Sequence, residues 1–147
     1  MKADLAWEIG ETAHALRRYF NRRVHQLGVT RAQWRVLVVL GREPGLKQVA
    51  LADRLDIEPI TLSRIVDRLE QSGLVARKPD PADRRAWRLE LTAEAAPLRA
   101  QLIELANEMA SEAFEGLAPD EIARLRAQLA SVRGRISEQE EARRAVA

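Results

Sequence analysis

After Gly73 the spacing of apolar residues changes from helical to alternating, and by Thr92 it has changed back. Leu74 to Lys78 reads as one strand, and Trp87, Leu89 and Leu91, alternating with Arg88 and Glu90, read as a second. Between them Pro79 to Arg85 has the chemistry of a loop. The pattern predicts a single β-hairpin with a charged tip inside a chain that is otherwise helical. Two antiparallel strands cannot bury a face alone, so this hairpin has to lie against the helices that precede it.

Those helices have readable boundaries. Leu5, Ile9, Ala13, Leu16, Phe20 and Leu27 fall on one stripe, which predicts a helix from Asp4 to about Leu27, ended by Gly28. Thr30 and Gln33 have capping-box spacing ahead of a second helix, Arg31 to about Gly41, that is apolar nearly all round. Pro44-Gly45 reads as a turn, Leu46 to Leu55 as a short helix, and Asp56-Ile57-Glu58 as a second turn. A further helix runs from Pro59 to Ser72, with Pro at its first position and Gly73 just past its end. Beyond the hairpin, Leu98 to Phe114 and Ile122 to Ile136 repeat at helical spacing, Pro97 delays the first turn, and residues after Ser137 are expected to fray. Ala118 stands where a Ser or Thr cap would be expected before Pro119. The order of elements is that of a winged helix-turn-helix, a mainly α fold with a small β-hairpin wing.

Charge has to be read by segment, because 24 basic and 22 acidic residues nearly cancel. Net charge is +4 over residues 1–45, +1 over 46–92, −6 over 93–123 and +3 over 124–147. Of the basic residues 21 are Arg, a type suited to forked recognition of phosphate or guanine, although genome-wide base composition also accounts for the preference. The chain has no Cys, which excludes a disulfide scaffold, a thiol nucleophile and a cysteine-ligated zinc. No apolar run reaches the ~20 residues of a membrane span, so no membrane partner is expected and the expected compartment is the cytoplasm.

In a helix-turn-helix the second helix enters the major groove. On the Pro59–Ser72 helix, Leu62, Ile65, Val66 and Leu69 make the buried stripe. Ile60, Ser63, Arg64, Asp67 and Gln71 face away, with Thr61 and Arg68 on the flank. Arg64 has the geometry to take guanine O6 and N7, Thr61 and Ser63 to reach a base or phosphate, and Ile60 to pack on a thymine methyl. A solvated face accounts for Arg64 and Ser63 but less well for an outward Ile60. At the hairpin tip Lys78, Arg84, Arg85 and Arg88 surround a Pro-stiffened loop suited to the adjacent minor groove, with Asp83 placed to orient an arginine.

From Gly28 to about Leu98 these residues resemble the MarR family of bacterial transcriptional regulators, close to its SlyA-like branch. The matching stretches are GVTRAQWRVL, IEPITLSRIVDRLEQSGLVAR and DPADRRAWRLELT, in that order. The resemblance implies a homodimer with a dimerisation helix over 1–29, a DNA-binding winged domain over 30–92 and dimerisation helices over 93–147. It implies a pseudo-palindromic double-stranded DNA operator, usually repressed. The stripes of the first and last helices, too long for the winged unit to cover, agree with a second copy as their partner. By match to the family, Ser63 and Arg64 fall on base- and phosphate-contacting positions, Arg84 and Arg85 on the wing tip, and Asp67 and Asp83 on acidic positions that orient wing arginines.

The family also implies release of DNA by a small aromatic or anionic effector, for which His14, Arg18 and Trp34 are the candidate contacts. Trp34 fits a core position equally, and His14 and Arg18 share a polar stripe with Asn21 and His25. A peroxide-sensing thiol is absent, and His14 and His25, roughly 16 Å apart along a helix, cannot share a metal within one chain. No Gly-rich loop, Ser-His pairing or metal motif points to an enzyme or to a cofactor. The rival readings are a winged helix used for protein contact without operator binding, and an activator or anti-silencer of the same family.

Overall fold

A computed structural model describes residues 1–146 of the chain. Helix α1 (Lys2–Val24) passes through a 3₁₀ turn at His25–Leu27 and stops at Gly28, whose φ of 71° is left-handed. Helix α2 (Arg31–Arg42) opens on the complete capping box: the Gln33 amide donates to Thr30 Oγ1 (3.2 Å), and Gln33 Oε1 accepts from the Thr30 amide (3.0 Å). Its Val36, Leu37 and Leu40 are buried at the centre of the core. Helices α3 (Gln48–Leu55) and α4 (Pro59–Gln71) follow, separated by a turn in which Asp56 adopts φ 52°.

Leu46-Lys47, expected to begin a helix, forms a short strand instead. This β1 (Leu46–Lys47) pairs with β3 (Trp87–Leu91), which also pairs with β2 (Val75–Pro79), so the sheet has three antiparallel strands in the order β1-β3-β2. Gly45 at φ 78° turns the chain back, and its amide donates to the Leu89 carbonyl (3.0 Å), which starts the pairing. Two residues carry no readable period. The third strand therefore covers the β3 edge that a two-stranded hairpin would leave bare.

Leu51, Leu55, Leu62, Val66 and Leu69 of α3 and α4, Val75 and Leu89 of the sheet and Leu102 of the next helix join the α2 residues in one core. A 3₁₀ turn at Ala93–Ala95 leads into α5 (Ala96–Ala113), with Pro97 in its first turn where no amide donor is required. Helix α6 (Pro119–Val146) continues through the segment expected to fray. That segment is rich in Glu, Gln, Ala and Arg, strong helix formers whose i,i+4 charge pattern, Glu140 with Arg144 for example, supports a helix whose described residues there are all exposed. At its start the Ala118 amide donates to Glu121 Oε2 (2.8 Å), half of a capping box without the hydroxyl.

The chain packs as two compact units, Met1–Ala110 and a second beginning at Ser111. The expected segments 1–29, 30–92 and 93–147 divide the chain by role, whereas packing within the first unit joins α1 to α2, where the Phe20 and Trp34 rings meet edge to face at 4.6 Å. Among the described residues no helix is long and apolar enough to cross a membrane.

Candidate nucleic-acid interface

The outward face of α4 follows from what its inner face buries. Leu62, Val66 and Leu69 are sealed in the core, so one side of the helix is fixed against α3 and the sheet. The opposite side presents Ile60, 63% exposed, with Thr61, Arg64 and Arg68. The turn before α4 is held from behind: the Ile57 amide donates to the Ala52 carbonyl (3.1 Å), and Arg35 on α2 donates to the Leu55 carbonyl at the end of α3 (2.8 Å). Burial, with Arg31 and Arg17 nearby, lowers the pKa of that guanidinium, which a value starting so high leaves charged.

Arg77 on β2 ties α4 to the wing. Its Nη1 lies 2.7 Å from Asp67 Oδ1 and 2.9 Å from Glu70 Oε2, and Nη2 donates to the Ser63 carbonyl (3.2 Å) and, at longer range, to Ser63 Oγ (3.4 Å). Its Nε donates to Gln48 Oε1 at the start of α3 (3.0 Å), and the side chain is only 15% exposed. One planar guanidinium thus holds three residues along about two turns of α4, and the first residue of α3, against the hairpin. Asp67 therefore meets a wing arginine, at the root of the wing. Ser63 is half-buried because Arg77 lies against it, while its hydroxyl hydrogen stays free to donate.

The loop at the end of the wing is organised by Asp80. This residue is 3% exposed, and its Oδ1 accepts from the amides of Ala82 (2.8 Å) and Asp83 (3.1 Å). Its Oδ2 accepts from Arg88 Nε (2.8 Å) and lies 3.6 Å from Lys47 Nζ on β1. The Ala82 amide holds the Asp80 carboxyl below the usual carboxylate range; burial opposes this, and Arg88 and Lys47 reinforce it. Arg88 also donates to the Gly45 carbonyl (3.1 Å), and Lys78 pairs with Glu90. Two of the four cations assigned to the tip from sequence, Lys78 and Arg88, are therefore neutralised within the sheet. Among the described residues Asp83 meets no arginine side chain: its Oδ1 accepts from the Arg85 backbone amide (2.9 Å), so it shapes the turn.

On α4 and the wing, what remains is a set of guanidiniums with no ion pair or side-chain hydrogen bond among the described residues: Arg64 and Arg68 on α4, Arg84 and Arg85 at the tip. All four are exposed. Unpaired forked cations beside small donors such as Thr61 and Ser63 have the chemistry to bind phosphate oxygens and the acceptor edge of guanine. Among the described residues no three of His, Asp and Glu gather to hold a metal ion.

Of the three residues suggested for an effector, none lines the pocket between α2 and α5. His14 and Arg18 are exposed on α1, and Trp34 packs on Phe20 while its Nε1 donates to Asn21 Oδ1 (2.7 Å). That pocket, of about 190 Å³, lies elsewhere in the same unit and is lined by Phe20, by Leu37, Val38, Gly41 and Arg42 of α2, and by Arg99, Leu102, Ile103, Ala106 and Asn107 of α5. Arg99 crosses α2 at Gly41 and donates to its carbonyl (3.2 Å); a Cβ at Gly41 would stand 2.7 Å from Arg99 Nε. Arg77, Asp80 and Arg99 are the residues that sequence reasoning missed. Only Asp80 had a local signal, the Asx-turn spacing of an Asp two residues before an acceptable amide donor.

The model of the MarR family matches residues 27–86. Among solved structures, the transcriptional regulator PA3341 superposes with a TM-score of 0.81 at 30% identity, over 91% of this chain and 98% of that one. The transcriptional regulator SlyA gives 0.76 at 28% identity, covering 92% and 96% of the two chains. Wild-type MarR from E. coli in its apo form gives 0.75 at 29%, covering 87% and 95%.

Proposed function

The chain belongs to the MarR family, and on that premise we propose that it is a sequence-specific DNA-binding regulator, a homodimer that represses from a pseudo-palindromic operator. One observation carries the reading. Arginines and lysines on the strands of the wing are paired with carboxylates, whereas among the described residues the four arginines on the outward face of α4 and at the wing tip have none. A surface that only had to be soluble would not need this division, and a polyanion supplies the missing partners. In this reading Arg64 takes a base edge, Ser63 and Thr61 take a base or phosphate, Ile60 meets a thymine methyl, and Arg68, Arg84 and Arg85 take backbone and minor-groove positions. Asp67 and Asp83 support the interface from behind.

The second copy covers apolar surface that this chain leaves open. Leu5 and Trp7 of α1 are 59% and 70% exposed, and Leu125, Val132 and Ile136 of α6 are exposed as well. Effector release enters through the pocket between α2 and α5, where Arg42 and Arg99 offer charge to a carboxylate or phenolate and Phe20 and Leu102 offer an apolar wall. Its volume suits one aromatic ring, since an apolar cavity of ~150 Å³ holds benzene.

The test uses the full chain and a duplex that it selects from a randomised-sequence library. Binding followed by fluorescence anisotropy should weaken steeply with salt, by about 10³-fold or more between 50 and 200 mM for a dimer making ~6–10 phosphate contacts. Sedimentation should give twice the chain mass. Salt-independent binding, or failure to select any duplex, overturns the reading and leaves a protein-contact module.

A further inference from the structure

The wing carries one large apolar side chain that the described residues leave about half exposed. Trp87 opens β3 and is 47% exposed. Across the hairpin it pairs with Pro79, beyond the pairs Val75 with Leu91 and Arg77 with Leu89. Side chains alternate along a strand, so these three pairs share one face of the sheet. It is the face turned toward α4, because Leu89 on it is fully buried and Arg77 on it reaches Ser63, Asp67 and Glu70. Trp87 therefore extends the helix-facing side of the wing past the edge of the core, toward the tip.

Its surroundings differ from those of a tryptophan held for packing. Trp34 shows what packing looks like here: its N–H is bonded to Asn21 and its ring meets Phe20. Among the described residues the Trp87 indole N–H has no acceptor and its ring no aromatic neighbour. Two and three residues before it stand the unpaired guanidiniums of Arg85 and Arg84. An amphipathic ring with a free donor, beside cations that lack anions, fits a surface that alternates apolar sugar with phosphate oxygen.

We propose that Trp87 is a DNA-contacting residue of the wing, its ring laid against a backbone deoxyribose beside the groove that α4 enters and its indole N–H donating to a phosphate oxygen. The proposal rests on the DNA-binding reading above and adds an uncharged contact to it. Because the ring releases no counterion, its contribution does not fade with salt as those of Arg84 and Arg85 do.

The experiment compares the full-length chain with Trp87→Phe and Trp87→Ala, using the duplex selected by the unaltered protein. Saturating duplex should quench part of the tryptophan emission of the unaltered chain, and Trp87→Phe, which keeps Trp7 and Trp34, should lose that quench. Trp87→Ala should weaken binding about tenfold, at the low end of what aromatic contacts to nucleic acid contribute. The slope of log affinity against log salt should stay the same, whereas Arg85→Ala should make it shallower. Circular dichroism and Tm report whether each variant folds; Trp87→Phe keeps the test decisive if Trp87→Ala does not. Quenching that persists in Trp87→Phe, or unchanged affinity in a folded Trp87→Ala, overturns the proposal while the DNA-binding reading stands. If the unaltered chain binds no duplex, both fall.

Discussion

The wing has a root and a tip, and the same residue type behaves in opposite ways at the two. Along the paired strands, from Arg77 at the root to Arg88 next to the loop, the arginines are surrounded by carboxylates and carbonyls, with Asp67, Glu70 and Ser63 on one and Asp80 and Gly45 on the other. At the tip and along α4, Arg84, Arg85, Arg64 and Arg68 have no such partners among the described residues. An arginine whose donors are already used builds geometry, and one whose donors are free is available to a ligand. The near-zero charge of residues 46–92 thus reflects pairing at the root and leaves the proposed binding surface cationic.

Substituting on the free side of this contrast should give the largest effect on binding. Arg64→Ala should cost about 1–3 kcal/mol of DNA affinity for each half-site if the side chain holds a guanine with two bonds. Tm should move little, within about 0.5 kcal/mol of stability, because the side chain supports nothing in the fold. Affinity by anisotropy and Tm by circular dichroism, measured on one preparation, check both halves. An Arg64→Ala protein that binds normally, or that unfolds, erases the distinction between root and tip.

The paired side should answer in the reverse order. Arg77→Ala leaves Asp67 and Glu70 without their cation and Ser63 and Gln48 without a donor, so stability should fall by about 1.5–3 kcal/mol, the range for hydrogen bonds to charged groups. DNA affinity should fall as well, through lost placement of α4 relative to the wing. Arg77→Lys should recover only part of either loss, since a point charge cannot span Asp67, Glu70 and Gln48 at once. Urea unfolding separates the two quantities. Equal loss of affinity without loss of stability would make Arg77 a direct contact.

A smaller effect distinguishes tip residues from one another. Arg84→Ala should lower the salt slope by about 1 for each phosphate contact removed, with affinity reduced alike on selected and random duplexes. If discrimination between the two duplexes changes instead, Arg84 reads sequence or groove width.

How much of this was legible from residues alone follows the range of the interactions. The Thr30–Gln33 cap, the Pro59 start of α4 and the hairpin are local, and each is where the sequence pattern puts it. The outward set on α4 follows from a helical wheel once Leu62, Val66 and Leu69 are buried. Pairing is another matter. Arg77 meets Gln48 from 29 positions away and Arg88 meets Gly45 from 43, so no spacing rule separates them from Arg84 and Arg85, which lie in the same basic cluster. The β1 strand escaped notice because two residues have no period, and the tail of α6 because its described residues are all exposed and show no stripe.

Asp80 gives the smallest effect near neutral pH and tests what holds the tip in shape. Its carboxyl is held below the usual range, chiefly by the Ala82 amide and then by Arg88 and Lys47 against the cost of burial. A depressed folded-state pKa means the ionised form is favoured by folding. Its stabilising contribution is therefore complete above the unfolded value of ~3.9 and is lost as pH falls through and below that value. Between pH 6 and 8 the wing should be insensitive to pH. Below about pH 4, the protection of the Ala82 and Asp83 amides, taken relative to their intrinsic exchange rates, should fall before that of the core amides of α2 and α4. Asp80→Asn should remove that acid dependence and show faster exchange at neutral pH, because a neutral amide holds the two N–H donors and Arg88 less strongly. If the Ala82 and Asp83 amides instead open together with the core, the tip has no independent organisation, and its free arginines are placed by the helices alone.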